Sequence, residues 1–117
     1  MTLTDRESAA FFHTYKRLPL HPVRGEGMVL ITADGTRYLD MFAGIAVNAL
    51  GHAHPRVVRA ITEQAGRYIH VSNYFAQEPQ IRLAELLLRH SGMLRVFFTN
   101  SGTEAMEGAM KIARQWG

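Results

Sequence analysis

The stretch Phe97-Phe98-Thr99-Asn100-Ser101-Gly102-Thr103-Glu104-Ala105 constrains this chain more than any other. Val96 to Thr99 is a nearly continuous apolar run, the kind of strand that a parallel sheet buries on both faces. Such a strand needs neighbours on both sides, and a stable layer takes three or more strands. No other run in the sequence matches it. Met28-Val29-Leu30-Ile31 and Thr36-Arg37-Tyr38-Leu39-Asp40 are β-type, but they flank Asp34-Gly35 and read as a hairpin. Two helical stretches separate that hairpin from Phe97. The expectation is an α/β protein of which these 117 residues supply only part.

The remaining elements follow from local signals. Thr4-Asp5-Arg6-Glu7 has capping-box spacing and predicts a short helix through about His13. Tyr15 to Pro22 reads as a linker, and residues 41–54 as a loop rich in small residues. Pro55 suits a first helical turn, where its missing N–H costs nothing, and Val57, Ile61, Ala65 and Tyr68 then recur at helical spacing. A second helix starts near Pro79, carries Leu83, Leu86 and Leu87, and ends at Ser91-Gly92 with glycine as its cap. A last helix runs from about Thr103, with Ala105, Ala109, Ile112 and Trp116 along one face.

Composition removes several classes of function. There is no cysteine, so disulfides, thiolate metal sites and a cysteine nucleophile are excluded. The formal charge of +3 comes from scattered basic residues, with only Lys16 and Arg17 adjacent. A nucleic-acid footprint would need a basic stripe interleaved with aromatics, and none exists. No apolar run approaches the roughly 18–20 residues that span a bilayer, and the first residues lack the basic-then-apolar pattern of a signal peptide. A cytoplasmic location is the expectation. His52-Ala53-His54 offers two imidazoles without a third ligand, which is weak ground for a metal, and none is expected.

The chemistry lies where the Phe97–Thr99 run meets the last helix. Ser101-Gly102-Thr103-Glu104 has capping-box spacing. The first helical turn has N–H groups without intrahelical partners and a partial positive charge. Gly102 lets an anion approach the backbone, and the Ser101 and Thr103 hydroxyls add donors, so the segment is suited to a phosphate. Most capped helices that follow a strand hold no phosphate, and a small anion-binding module without catalysis would carry the same pattern. It is neither a Walker loop nor a dinucleotide fingerprint, because the required lysine and spaced glycines are missing.

Asn100 to Ala105, followed by Glu107-Gly108-Ala109 and Lys111-Ile112-Ala113-Arg114, resembles the phosphate cup of the class III aminotransferases. Asp34 to Asp40, Gly44 to Pro55 and His70 to Phe75 resemble three further stretches of that family, in the same order. Gly44-Ile45-Ala46-Val47-Asn48 is most similar to the acetylornithine aminotransferases; Met106 stands where those enzymes usually carry asparagine. The resemblance implies a pyridoxal-phosphate-dependent transferase of fold type I. Residues 1–54 would belong with its small domain, and residues 55–117 would open its large cofactor-binding domain.

By the same resemblance, Ser101, Gly102 and Thr103 hold the phosphate of pyridoxal 5'-phosphate. Gly44, Ile45 and Tyr15 lie toward the substrate, and Asn73 and Tyr74 lie near the active-site mouth or a dimer interface. An amino acid and a 2-oxo acid are the implied substrates, and a homodimer the implied assembly. Ornithine, 4-aminobutyrate and glutamate-1-semialdehyde enzymes share the cup and remain open. The Schiff-base lysine of the family comes far later in the chain, so no catalytic residue is assigned here. Lys111 sits eight residues after Thr103, about 12 Å along a helix rising 1.5 Å per residue, and Lys16 is in the linker.

Overall fold

The computed structural model describes residues 1–117, which form two compact units, Met1–Ile69 and His70–Gly117. The first unit opens with helix α1 (Leu3–Ala10). Its cap is Thr2, not Thr4: the Thr2 hydroxyl accepts from the Asp5 N–H at 3.1 Å, and the Asp5 carboxylate accepts from the Thr2 N–H at 2.7 Å. Thr2-x-x-Asp5 and Thr4-x-x-Glu7 share the capping spacing, and the earlier one adds helical residues. Glu7 is thereby freed, and it takes the Arg17 Nε at 2.5 Å. The helix also stops short of His13, because Phe11 is already extended at φ −117°.

A three-stranded antiparallel sheet follows, in the order β1 (Pro22–Glu26), β2 (Val29–Thr32), β3 (Arg37–Leu39). The expected hairpin is present as β2 and β3, with Leu30 opposite Tyr38. Its turn is set locally: Asp34 accepts from the Thr32 hydroxyl at 2.5 Å and from the Thr36 N–H at 3.2 Å, and Gly35 takes φ +85°. Strand β1 is not expected from the sequence, in which Tyr15 to Pro22 reads as a linker. It has one β-branched residue, Val23, and a proline, which suits an edge strand. Its pairing with β2 is irregular between Pro22 and Arg24.

Residues 41–54 are not a plain loop. They contain one turn, α2 (Ala43–Ala46), whose backbone is left-handed, and a two-way main-chain bridge between Gly27 and His52 at 3.0 and 2.7 Å. Helix α3 (Pro55–Ala65) begins at Pro55 as its sequence requires, after His54 as the N-cap.

In the second unit, α4 (Glu78–Ser91) ends on Gly92 in the left-handed conformation, φ 69°, whose N–H returns to the Leu88 carbonyl at 3.2 Å. Helix α5 (Gly102–Trp116) begins one residue earlier than expected, at Gly102. The run Val96–Thr99 departs from its expected strand, since it belongs to no hydrogen-bonded ladder. A strand exists only with a partner, and no second β-type run lies in this unit. No side chain anywhere is fully buried, and Phe97 is 72% exposed. The apolar faces read from the helical spacing are present, but Leu86, Leu87, Ile112 and Trp116 all lie exposed.

Candidate functional site

The second unit holds the three residues assigned to a phosphate. Ser101 is extended, at φ −149° and ψ 160°, and its hydroxyl caps α5 by accepting from the Glu104 N–H at 3.2 Å. Glu104 reaches back in turn, but one residue beyond the usual capping box: its carboxylate accepts from the Asn100 N–H at 2.7 Å. The Thr99 hydroxyl donates to the Ser101 carbonyl at 3.0 Å. These bonds fix the turn and use the N–H groups of Asn100 and Glu104.

The Gly102 and Thr103 N–H groups are left without a protein acceptor, on adjacent residues of the first turn. Both residues are exposed, and a Cβ built on Gly102 would meet nothing within 4 Å. Two free amides with the hydroxyls of Ser101 and Thr103 beside them, all at the positive end of a helix dipole, form a donor set for a dianionic phosphate. The residues present therefore fit the phosphate end of pyridoxal phosphate.

A separate hollow of about 510 Å³ lies along the flank of α5, between Phe97, Gly108 and Lys111, and does not include Gly102 or Thr103. Lys111 donates to Glu107 at 2.6 Å, an exposed pair one turn apart. Its amine is thus engaged along the side of the helix, away from the free amides.

The first unit holds the residues assigned to the substrate. Tyr15 is 78% exposed and lines an open hollow of about 1040 Å³ with Leu3, Phe11 and Phe42. The Arg17 guanidinium lies 5.9 Å from the ring centres of both Phe11 and Tyr15. Gly44 and Ile45 do not line this hollow. They sit together on α2, where Ala43, Gly44, Ile45 and Ala46 have φ of 49°, 62°, 61° and 61°. Glycine adopts that conformation freely; each of the other three residues is strained by roughly 1–2 kcal/mol. Ile45, a β-branched residue, is 76% exposed there.

A carboxylate–imidazole contact not foreseen from the sequence supports this turn. Asp40 accepts from the Phe42 and Ala43 N–H groups at 3.0 and 2.9 Å, and its other oxygen lies 2.7 Å from His52 Nε2. The His52 bond, followed by those from Ala43 and Phe42, holds the Asp40 carboxyl below the ordinary carboxylate range. The side chains are 9% and 19% exposed, better sheltered than those of any other acid–base contact in the structure. From the sequence, His52 lies in the loop 41–54 and has no assigned partner. Its main chain bonds Gly27, and its ring goes to Asp40. The available signal was an aspartate at the end of a β-type run, three residues before Ala43-Gly44, since an Asp side chain readily bonds backbone N–H groups two and three residues on.

The fold and the donor set define an α/β segment whose last helix opens on two unpartnered amides. Residues 10–117 match the family model described as aminotransferase class-III. The chain is 57% identical over 107 residues to the acetylornithine aminotransferase of Rhodobacter capsulatus, a match covering 92% of this chain and 27% of that protein. The crystal structure of acetylornithine aminotransferase from Elizabethkingia anophelis superposes with a TM-score of 0.89 at 32% identity, covering 97% of this chain and 30% of that one. The taurine:2-oxoglutarate aminotransferase of Bifidobacterium kashiwanohense, solved in complex with PLP and glutamate, gives a TM-score of 0.80 at 34% identity over 92% of this chain and 25% of that one. The chain belongs to the class III aminotransferases, and it spans less than a third of the length of these relatives.

Proposed function

We propose that residues 1–117 are the cofactor-phosphate and substrate-side segment of a pyridoxal-phosphate-dependent aminotransferase. It moves an amino group from N-acetylornithine, or a similar ω-amino donor, to 2-oxoglutarate. The observation that carries this reading is the pair of unpartnered amides on Gly102 and Thr103 at the start of α5. The relatives' names support the donor, and the PLP and glutamate bound in the taurine enzyme support the cofactor and the acceptor. Residues 1–54 go with the small domain, residues 55–117 open the large one, and the working assembly is a cytoplasmic homodimer.

Bound pyridoxal phosphate supplies an aldehyde that captures the amino group and a ring that withdraws electrons from the carbon losing its proton. This chain's residues bind and orient. The Gly102 and Thr103 N–H groups and the Ser101 hydroxyl donate to the phosphate oxygens. Gly44 leaves room for the donor's chain, Ile45 offers it an apolar contact, and Tyr15 offers its ring. Neither lysine is assigned the proton transfer: Lys111 is bonded to Glu107 and Lys16 lies before the sheet.

Three hydrogen bonds to a charged phosphate contribute roughly 5–9 kcal/mol, and association costs an estimated 4–15 kcal/mol. The segment by itself is therefore expected to hold the cofactor weakly or not at all. The test is an assay of the full-length protein with pyridoxal phosphate, 2-oxoglutarate and N-acetylornithine, ornithine or 4-aminobutyrate, reading glutamate. N-Acetylornithine is expected to give the highest kcat/KM. A cofactor-loaded protein that forms no glutamate from any of the three would refute the reading.

A further inference from the structure

A left-handed turn containing Ala43, Ile45 and Ala46 persists only where its surroundings over-determine it. Part of what holds α2 is local: the Ile45 and Ala46 N–H groups return to the Phe42 carbonyl, and Asn48 N–H to that of Ala43. The rest comes from Asp40 and His52. One Asp40 oxygen gathers the Phe42 and Ala43 N–H groups, and the other is tied to His52, twelve residues on. A carboxylate that only capped the backbone would not need that third bond.

His52 is itself anchored. Its main chain is bonded both ways to Gly27, and its ring lies over Gly25, where a Cβ would come within 2.6 Å of His52 Cβ and Cγ. Gly51 shares the constraint, since a Cβ there would lie 2.9 Å from the Gly27 carbonyl oxygen. A continuous path thus runs from the β1 edge through His52 and Asp40 to α2. No other charged side chain bridges to either member of the pair.

We infer that Asp40 and His52 form a clamp that keeps α2 left-handed, and that they are positioning residues for the surface made by Gly44 and Ile45. The inference rests on the proposed substrate-side placement of those two residues. The clamp touches no reacting atom; it sets the backbone from which the donor's contacts project.

The test uses the full-length holoenzyme and two readouts, amide hydrogen exchange over residues 41–48 and steady-state kinetics. Asp40→Ala is expected to raise exchange at Phe42 and Ala43 at least tenfold and the KM for the amino donor at least tenfold. The cofactor absorbance and the exchange of residues 29–39 should stay at parental values. Adding Ala46→Gly to Asp40→Ala is expected to recover at least threefold of the lost KM, because glycine holds the left-handed conformation without the clamp. His52→Gln, which keeps an N–H donor, is expected to stay within threefold of the parent. If Asp40→Ala does not fold, His52→Ala carries the same readouts. Unchanged exchange at Phe42 and Ala43 in a folded variant overturns the clamp. Faster exchange with an unchanged donor KM leaves the clamp standing and refutes the substrate-side placement of Gly44 and Ile45.

Discussion

Replacing Gly102 by proline removes one N–H from the proposed phosphate site while leaving the helix intact. Gly102 is the first residue of α5, where proline's fixed φ is already helical and no intrahelical bond is lost. Proline also demands an extended residue before it, and Ser101 has φ −149° and ψ 160°. The added Cβ enters open space, with nothing within 4 Å. Gly102→Ala adds the same Cβ and keeps the N–H, so the ratio between the two variants reads the lost hydrogen bond together with the ring carbon that takes the place of its hydrogen. A bond to a charged acceptor contributes about 1.5–3 kcal/mol, and each 1.4 kcal/mol is tenfold in affinity, so the lost bond alone weakens cofactor Kd by roughly 10- to 150-fold and the expected ratio is at least about 10. The assay titrates the full-length apo-protein with pyridoxal phosphate by absorbance, with thermal melts of both variants alongside. Kd values within threefold of each other, at matching Tm, would show that the Gly102 amide does not hold the phosphate.

Three further outcomes follow from the same geometry. Lys111→Ala breaks only an exposed pair with Glu107, so it should cost at most about 0.5 kcal/mol in stability and leave glutamate formation by the full-length enzyme at the parental rate. An abolished activity would place Lys111 in the chemistry. Gly92→Ala forces a Cβ into the left-handed cap of α4 and should destabilise by about 1–2 kcal/mol in a denaturant melt; no change would mean that the helix ends elsewhere. Asp40 is held below its ordinary pKa, so its contribution to stability is present above the unfolded-state value and is lost as pH falls through the lower folded one. Carbon-13 NMR titration should show its carboxyl still ionised when exposed carboxylates are half protonated, and a normal midpoint would contradict the bonded geometry.

What was legible in the sequence was local. The hairpin turn is made by Asp34 with Thr32 and Thr36, all within four residues. The starts of α3 and α5 are set by Pro55 and by Ser101, and the end of α4 by Gly92. Each uses groups a few bonds apart, so a short window contains the cause. The first helix shows the limit of that method, since Thr2 and Thr4 both have capping spacing and only the folded chain chooses Thr2.

The candidate site divides in the same way. Neighbouring residues supply all the donors around Gly102, so this donor set could be read before any coordinates. Strand β1 could not, because Pro22, Arg24 and Gly25 carry little strand preference and pair with β2 through main-chain groups common to every residue. The same holds for the left-handed α2 and its clamp: Asp40 and His52 meet across twelve residues, and their meeting depends on the close passage of Gly25 and Gly27. Contacts between distant positions depend on how the whole backbone closes, and no short stretch of residues encodes that closure.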